Sequence, residues 1–185
     1  MRQLFTVHAG EYLVGSAVER QLPGAGVWLP SKDTGIDLLV KNARNTRSIS
    51  LQVKYSRDYS PFHPRFLACG WWTFDWAKLR ASPANLCVVV LLPFRPGEAV
   101  DRAAIQYVII PPKKLADRLG RFQDRTKPVQ SYLWVTQQKR CWDTRRVRSK
   151  AKEEMADNRY VDRRREFTRC LNAWELLARR LLPLA

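Results

Sequence analysis

Apolar and polar positions along this chain repeat with two periods, and the two periods predict where helices and strands lie. In residues 10–22, Leu13, Val14, Ala17, Val18 and Leu22 recur at three-to-four spacing, the stripe of an amphipathic helix, and Pro23, Gly24 and Gly26 end it. Val27-Trp28-Leu29 reads as a short strand closed by Pro30 and a turn-like stretch over 31–34. A strand over 36–41, a polar loop over 42–47 and a second strand over 48–55 follow. In the second strand Ile49, Leu51 and Val53 share one face and Ser50, Gln52 and Lys54 the other. Residues 57–72 are aromatic and irregular, interrupted by Pro61 and Pro64, and 75–81 reads as a short helix. The unbroken apolar run over 86–92 predicts a strand buried on both faces. A strand over 104–110, a helix from Pro112 to about Leu119 and a strand over 131–136 come next. Two helices are expected at the end, over 149–156 and 160–182. The stripe of the second is Tyr160, Phe167, Leu171, Trp174, Leu177 or Ala178, and Leu181, opposite Arg163, Arg165, Arg169 and Arg180.

This order predicts an α/β domain with a central mixed sheet flanked by helices over residues 1–140, and a basic helical extension over 141–185. The longest apolar run, residues 86–94, is far short of the ~20 residues of a membrane span. The first residues lack the apolar stretch of a signal peptide, so a cytoplasmic protein without a membrane partner is expected. Cys69, Cys87, Cys141 and Cys170 are scattered in no zinc-binding spacing and read as buried thiols.

Charge changes the picture most. The net charge of +16 calls for a polyanionic partner, and residues 113–185, with 20 basic and 9 acidic side chains, carry +11 of it. Nucleic acid, DNA above all, is the expected partner. A membrane surface contacted by the last amphipathic helix is a rival, although a buried stripe explains that helix equally well.

Candidate chemistry sits in Gly35-Ile36-Asp37-Leu38-Leu39-Val40 and Ile49-Ser50-Leu51-Gln52-Val53-Lys54. Aspartate is disfavoured in strands. If the hairpin closes with Lys41 opposite Ser48, Asp37 lies opposite Gln52, and Lys54 lies two residues along on the same face. A carboxylate, an amide oxygen and an ammonium then converge, which suits phosphodiester hydrolysis. Asp37, Gln52 and the Val53 carbonyl offer the oxygens that Mg²⁺ (or Mn²⁺) prefers, and Lys54 can hold a water or a phosphate. Of the two acids on the first helix, Glu11 borders the apolar stripe and Glu19 falls nearly opposite it, so Glu11 is the expected third member.

Gly10-Glu11 opening a helix, Gly35-Ile36-Asp37 on a strand and Gln52-Val53-Lys54 on the next resemble the PD-(D/E)XK nuclease superfamily, the restriction-endonuclease-like fold. In order and spacing they are similar to archaeal Holliday-junction resolvases and to small bacterial proteins with a Gln-Val-Lys motif. The resemblance covers residues 9–56 and, more loosely, the strands ending at Phe94 and Pro111. It implies catalytic roles for Glu11, Asp37 and Lys54, with Gln52 in place of the usual acidic ligand. It also implies a Mg²⁺-dependent DNA endonuclease of repair, recombination or restriction, and a homodimer is an option because many double-strand cutters are dimeric. Glutamine keeps an oxygen and loses a charge, so metal binding should be weaker. A catalytically inactive nucleic-acid-binding module on the same fold is the alternative.

Blander readings accompany each residue. Asp37 and Lys54 also fit a structural ion pair, and Glu11 alone fits an acid favoured by a helix dipole. Tyr59, Phe62, Phe66, Trp71 and Trp72, interleaved with Arg57, His63 and Arg65, read as a base-stacking platform or as core, with core favoured for the Trp pair. Arg57 and Arg65, together with Arg145, Arg146, Arg148 and Lys150 in the basic run over 139–152, are the expected phosphate contacts.

Overall fold

The computed structural model describes residues 9–32, 34–55, 63–93, 104–121, 123–125 and 128–182. Helix α1 (Ala9–Gln21) leads into an antiparallel meander of β1 (Gly26–Trp28), β2 (Leu38–Lys41) and β3 (Ser48–Tyr55). Then come β4 (Phe66–Phe74), α2 (Trp76–Arg80), β5 (Leu86–Pro93), β6 (Gln106–Ile110), α3 (Pro112–Leu119), β7 (Val129–Thr136), β8 (Cys141–Asp143), α4 (Ser149–Ala156) and α5 (Glu175–Leu181). The described strands form a mixed eight-stranded sheet, ordered β1-β2-β3-β5-β4-β7-β8, with β6 also paired to β5. The β3–β5 pair is parallel and the others are antiparallel. The α/β expectation therefore holds.

The period-2 pattern of β3 turns one of its faces into a core. Ile49, Leu51 and Val53 pack with Val14, Ala17 and Val18 of α1 and Leu177 and Leu181 of α5. On the other face, β5 and β6 meet α3 and the inner faces of β4 and β7. Val88 and Val90 of β5 enter the first core and Cys87, Val89 and Leu91 the second, which explains the unbroken apolar run. A third core lies under α4, where Met155 and Ala156 cover Phe66, Trp134 and Trp142. Each fully buried Val or Leu contributes about 1.5–3 kcal/mol relative to an exposed one.

Three expectations need correction. Of the stretch read as irregular up to Trp72, residues 57–62, with Tyr59 and Phe62, lie outside the described residues, and residues 66–74 form the nine-residue strand β4. Its alternation is masked by two adjacent tryptophans and a glycine. Trp72 is buried, Trp71 is 36% exposed on the outer face, and the Trp72 ring covers Gly70 so closely that a Cβ there would overlap it. The strand β8 was not anticipated, because three residues carry too little pattern.

The long helix expected over 160–182 is, in fact, only Glu175–Leu181, preceded by 3-10 turns at Arg163–Arg165 and Thr168–Cys170. Its apolar residues do not share a face. Phe167 enters the second core and Trp174 the first, so the segment must wrap around the sheet edge. In doing so Leu171 bridges Val108 of β6, and Asn172, with a left-handed φ of 50°, bonds both ways with Tyr107. These contacts cover an otherwise unpaired strand edge. The segment from Cys141 onward thus contributes to all three cores.

Among the described residues no helix is long and apolar enough to cross a membrane. The apolar side of α5, offered above as a membrane contact, is buried against the sheet. The four thiols are free; Cys69, Cys87 and Cys141 are buried and Cys170 is half-buried.

Candidate active site

Asp37 stands one residue before β2. Lys41 pairs with Ser48 as expected, and the paired register ends at Leu38 opposite Leu51, one residue short of the expected Asp37–Gln52 pair. The main chain then steps out of register: the Asp37 N–H donates at 2.9 Å to the carbonyl of Leu51, already the partner of Leu38, so two residues oppose one as in a β-bulge. There the side chain replaces the strand: the Asp37 carboxylate Oδ2 accepts the Val53 N–H at 2.6 Å. The N–H and C=O of one strand residue point to the same edge. The Val53 carbonyl accordingly lies along the edge that Asp37 occupies.

Lys54 and Gln52 occupy the other face of β3 from Val53, in register with Val89 and Cys87 of β5. Cys87, the strand partner of Gln52, is fully buried beside this patch. Burial pushes its thiol up to about 12; the Lys54 ammonium pulls it down and the Asp37 carboxylate raises it further.

Two residues that the sequence reading did not select frame the patch. Ser82 donates its hydroxyl to Gln52 Oε1 at 3.4 Å, and next to it Pro83 packs at 3.6 Å from the Cβ position of Gly35. Gly35 has φ +78°, a left-handed turn that favours glycine and delivers Asp37 to the end of β2. The only signal for Ser82 was its place before a proline, which marks a loop and not a role.

The donors fit a hard divalent cation. A carboxylate, an amide oxygen and a main-chain carbonyl are the ligand types that Mg²⁺ accepts, with water completing the shell. Among the described residues no three His, Cys, Asp or Glu side chains gather as a ligand set, so at this patch one carboxylate and two neutral oxygens would do the holding. With so little negative charge, a cation would be held weakly.

Glu11 lies in the first turn of α1 and is half-buried, whereas Glu19 is exposed. The helix start rests against Val53 and Tyr55, on the face opposite Gln52 and Lys54. Glu11 therefore starts from the α1 side of β3, and Gln52 and Lys54 lie on the other side. Gly10 makes this seating possible, since a Cβ there would lie 2.4 Å from Tyr55 Cβ. Gly10→Ala is expected to destabilise the fold by about 1–3 kcal/mol. A thermal melt checks this, and an unchanged Tm would show that α1 is not held there.

The expected phosphate contacts divide into groups. Arg57 lies outside the described residues. Arg65 is clamped between Glu153, at 2.5 Å, and Asp157 of the α4 segment, so a phosphate would compete with two carboxylates. Elsewhere Arg140 and Arg163 share Glu166, and Arg164 pairs with Asp162. No described carboxylate pairs with Arg145, Arg146, Arg148 or Lys150. Arg145 and Arg146 share a groove with Lys152, while Arg148 and Lys150 are exposed at the start of α4.

No family model, curated protein or solved structure matches this chain. The functional reading therefore rests on the residues themselves.

Proposed function

We propose that this protein is a Mg²⁺-dependent endonuclease that hydrolyses DNA phosphodiester bonds, on a restriction-endonuclease-like core, in repair, recombination or restriction. The observation that carries the reading is the placing of the Asp37 carboxylate on the Val53 amide, beside the strand that bears Gln52 and Lys54. A bound cation would acidify a water and neutralise charge developing on the phosphorane. Asp37 would hold it, with Gln52 and the Val53 carbonyl adding neutral oxygens. Lys54 would hydrogen-bond the attacking water or the scissile phosphate as a compact charge. Glu11, from the start of α1, would supply the second acid.

One observation favours the alternative, a catalytically inactive nucleic-acid-binding module. Gln52 brings no charge, and its oxygen already accepts the Ser82 hydroxyl. Gln52→Glu tests whether Gln52 faces a metal. Calorimetric titration with Mn²⁺ should show tighter binding in the variant, because a carboxylate replaces a near-isosteric amide at the metal. Equal affinity would place Gln52 away from any metal. Nuclease assays of the wild type with Mg²⁺ and Mn²⁺ then decide activity.

A further inference from the structure

The outer face of β7 presents side chains at alternate positions, and Tyr132 and Trp134 among them line a groove of about 390 Å³. Thr144, Arg145, Arg146 and Lys152 form its other walls. This volume lies within the range of small-ligand sites. The floor is aromatic and continues onto the neighbouring strand. Trp71 of β4 is the cross-strand partner of Tyr132, their ring centroids are 5.9 Å apart at an interplanar angle of 33°, and Trp71 is 36% exposed. At the other end Lys152 places its ammonium 4.5 Å from the Trp134 ring centroid.

The basic wall is fixed in place. Asp143 is fully buried; its Oδ1 accepts the Arg145 N–H at 2.9 Å and its Oδ2 the Ser131 hydroxyl at 3.2 Å. Thr144 N–H donates to the Tyr132 carbonyl at 2.7 Å, and the Arg165 guanidinium donates to the Arg145 carbonyl at 3.0 Å. Arg146 has φ 54° in the tight turn so formed. The backbone bearing Arg145 and Arg146 is thus tied to β7, so little ordering remains for a ligand to impose.

We propose that this groove binds an unpaired stretch of nucleic acid. Bases stack on Tyr132 and Trp71, and phosphates lie along Arg145, Arg146 and Lys152. Stacking decides between strand forms. In a duplex the base faces are already stacked on one another, whereas unpaired bases offer theirs to aromatic side chains. An aromatic floor beside a basic wall suits a strand that turns its bases to one side and its phosphates to the other. The inference stands on the groove alone and holds whether or not the Asp37 site cleaves DNA.

The test is binding without metal, in EDTA, so that cleavage plays no part. Fluorescence anisotropy compares oligo(dT), oligo(U) and a duplex of mixed sequence, each about twelve nucleotides or base pairs long, within the ~4–16-nucleotide span of such sites. The full chain should bind a single strand, and the dT and U arms report whether the sugar matters. Tyr132→Leu and Trp71→Leu, which keep apolar bulk, should each weaken single-strand binding by about 5- to 150-fold and change duplex binding less than about twofold. Tyr132→Phe and Trp71→Phe should bind as the wild type does, and near-UV circular dichroism checks the fold of all four. Single-strand affinity unchanged in both leucine variants would overturn the proposal. So would an equal loss for duplex and single strand, which would leave a groove that contacts phosphates only.

Discussion

Asp37→Asn should remove Mg²⁺-dependent cleavage, by about 10³-fold or more, from a protein that still melts as the wild type does. The cation's stabilisation of transition-state charge is worth several kcal/mol, and each ~1.4 kcal/mol is tenfold in rate. The amide keeps an oxygen for the Val53 N–H and loses the charge that would hold the metal. Asp37→Ala is a different experiment. It removes the same charge and also leaves the Val53 N–H without its acceptor, an added cost of about 1–3 kcal/mol in stability. Lys54→Ala should lose cleavage to a similar degree with the fold intact. Linear, nicked and branched DNA with Mg²⁺ and with Mn²⁺ make up the assay panel. Cleavage at the wild-type rate by Asp37→Asn or Lys54→Ala would remove the nuclease assignment.

The combined change of Arg145, Arg146, Arg148 and Lys150 to Ala should produce the largest loss of DNA affinity. These four have no described carboxylate partner, unlike Arg65, Arg140, Arg159, Arg163 and Arg164, whose charges are opposed by nearby acids. A lysine or arginine that neutralises a phosphate releases about 0.9 counterion from B-DNA. The variant should therefore flatten a plot of log affinity against log salt by about 3–4 units if all four make contact. With about six contacts in the wild type, affinity should fall ~10³-fold or more between about 50 and 200 mM salt. The loss should be equal for unrelated sequences, since phosphate contacts carry no sequence information. An unchanged slope would move the phosphate track elsewhere, with the loop around Arg57 as the next candidate.

Much of the first half was legible in the sequence because local pattern and tertiary packing agree there. The polar loop over 42–47 and the alternation of Ile49, Leu51 and Val53 leave one sensible register, and the structure has Lys41 opposite Ser48 as expected. Extended by one residue that register would set Asp37 against Gln52, but the Asp37 N–H bonds to the Leu51 carbonyl instead. The register could not reveal that the Asp37 carboxylate would stand in for a strand acceptor, because the bond depends on β2 ending where it does. The last third misled for the opposite reason. Phe167, Leu171, Trp174, Leu177 and Leu181 fall on one helical stripe in sequence, yet they serve two cores and an edge bridge. A periodicity can be satisfied by more than one neighbour, and only long-range contacts choose. Similarly, two adjacent tryptophans gave no sign that the sheet would bury one and expose the other.

The wrapped segment also bears on how the chain reaches its native state during synthesis. Phe167 completes the second core, and Trp174, Leu177 and Leu181 complete the first. At ~5–20 residues per second of translation, the sheet and α1 emerge seconds before these side chains. Until then both sheet faces are unfinished and the β6 edge is uncovered, and such edges and apolar faces favour aggregation. Successful folding thus depends on the segment that is made last among the described residues, and a nascent chain stalled before Phe167 should be a substrate for chaperones.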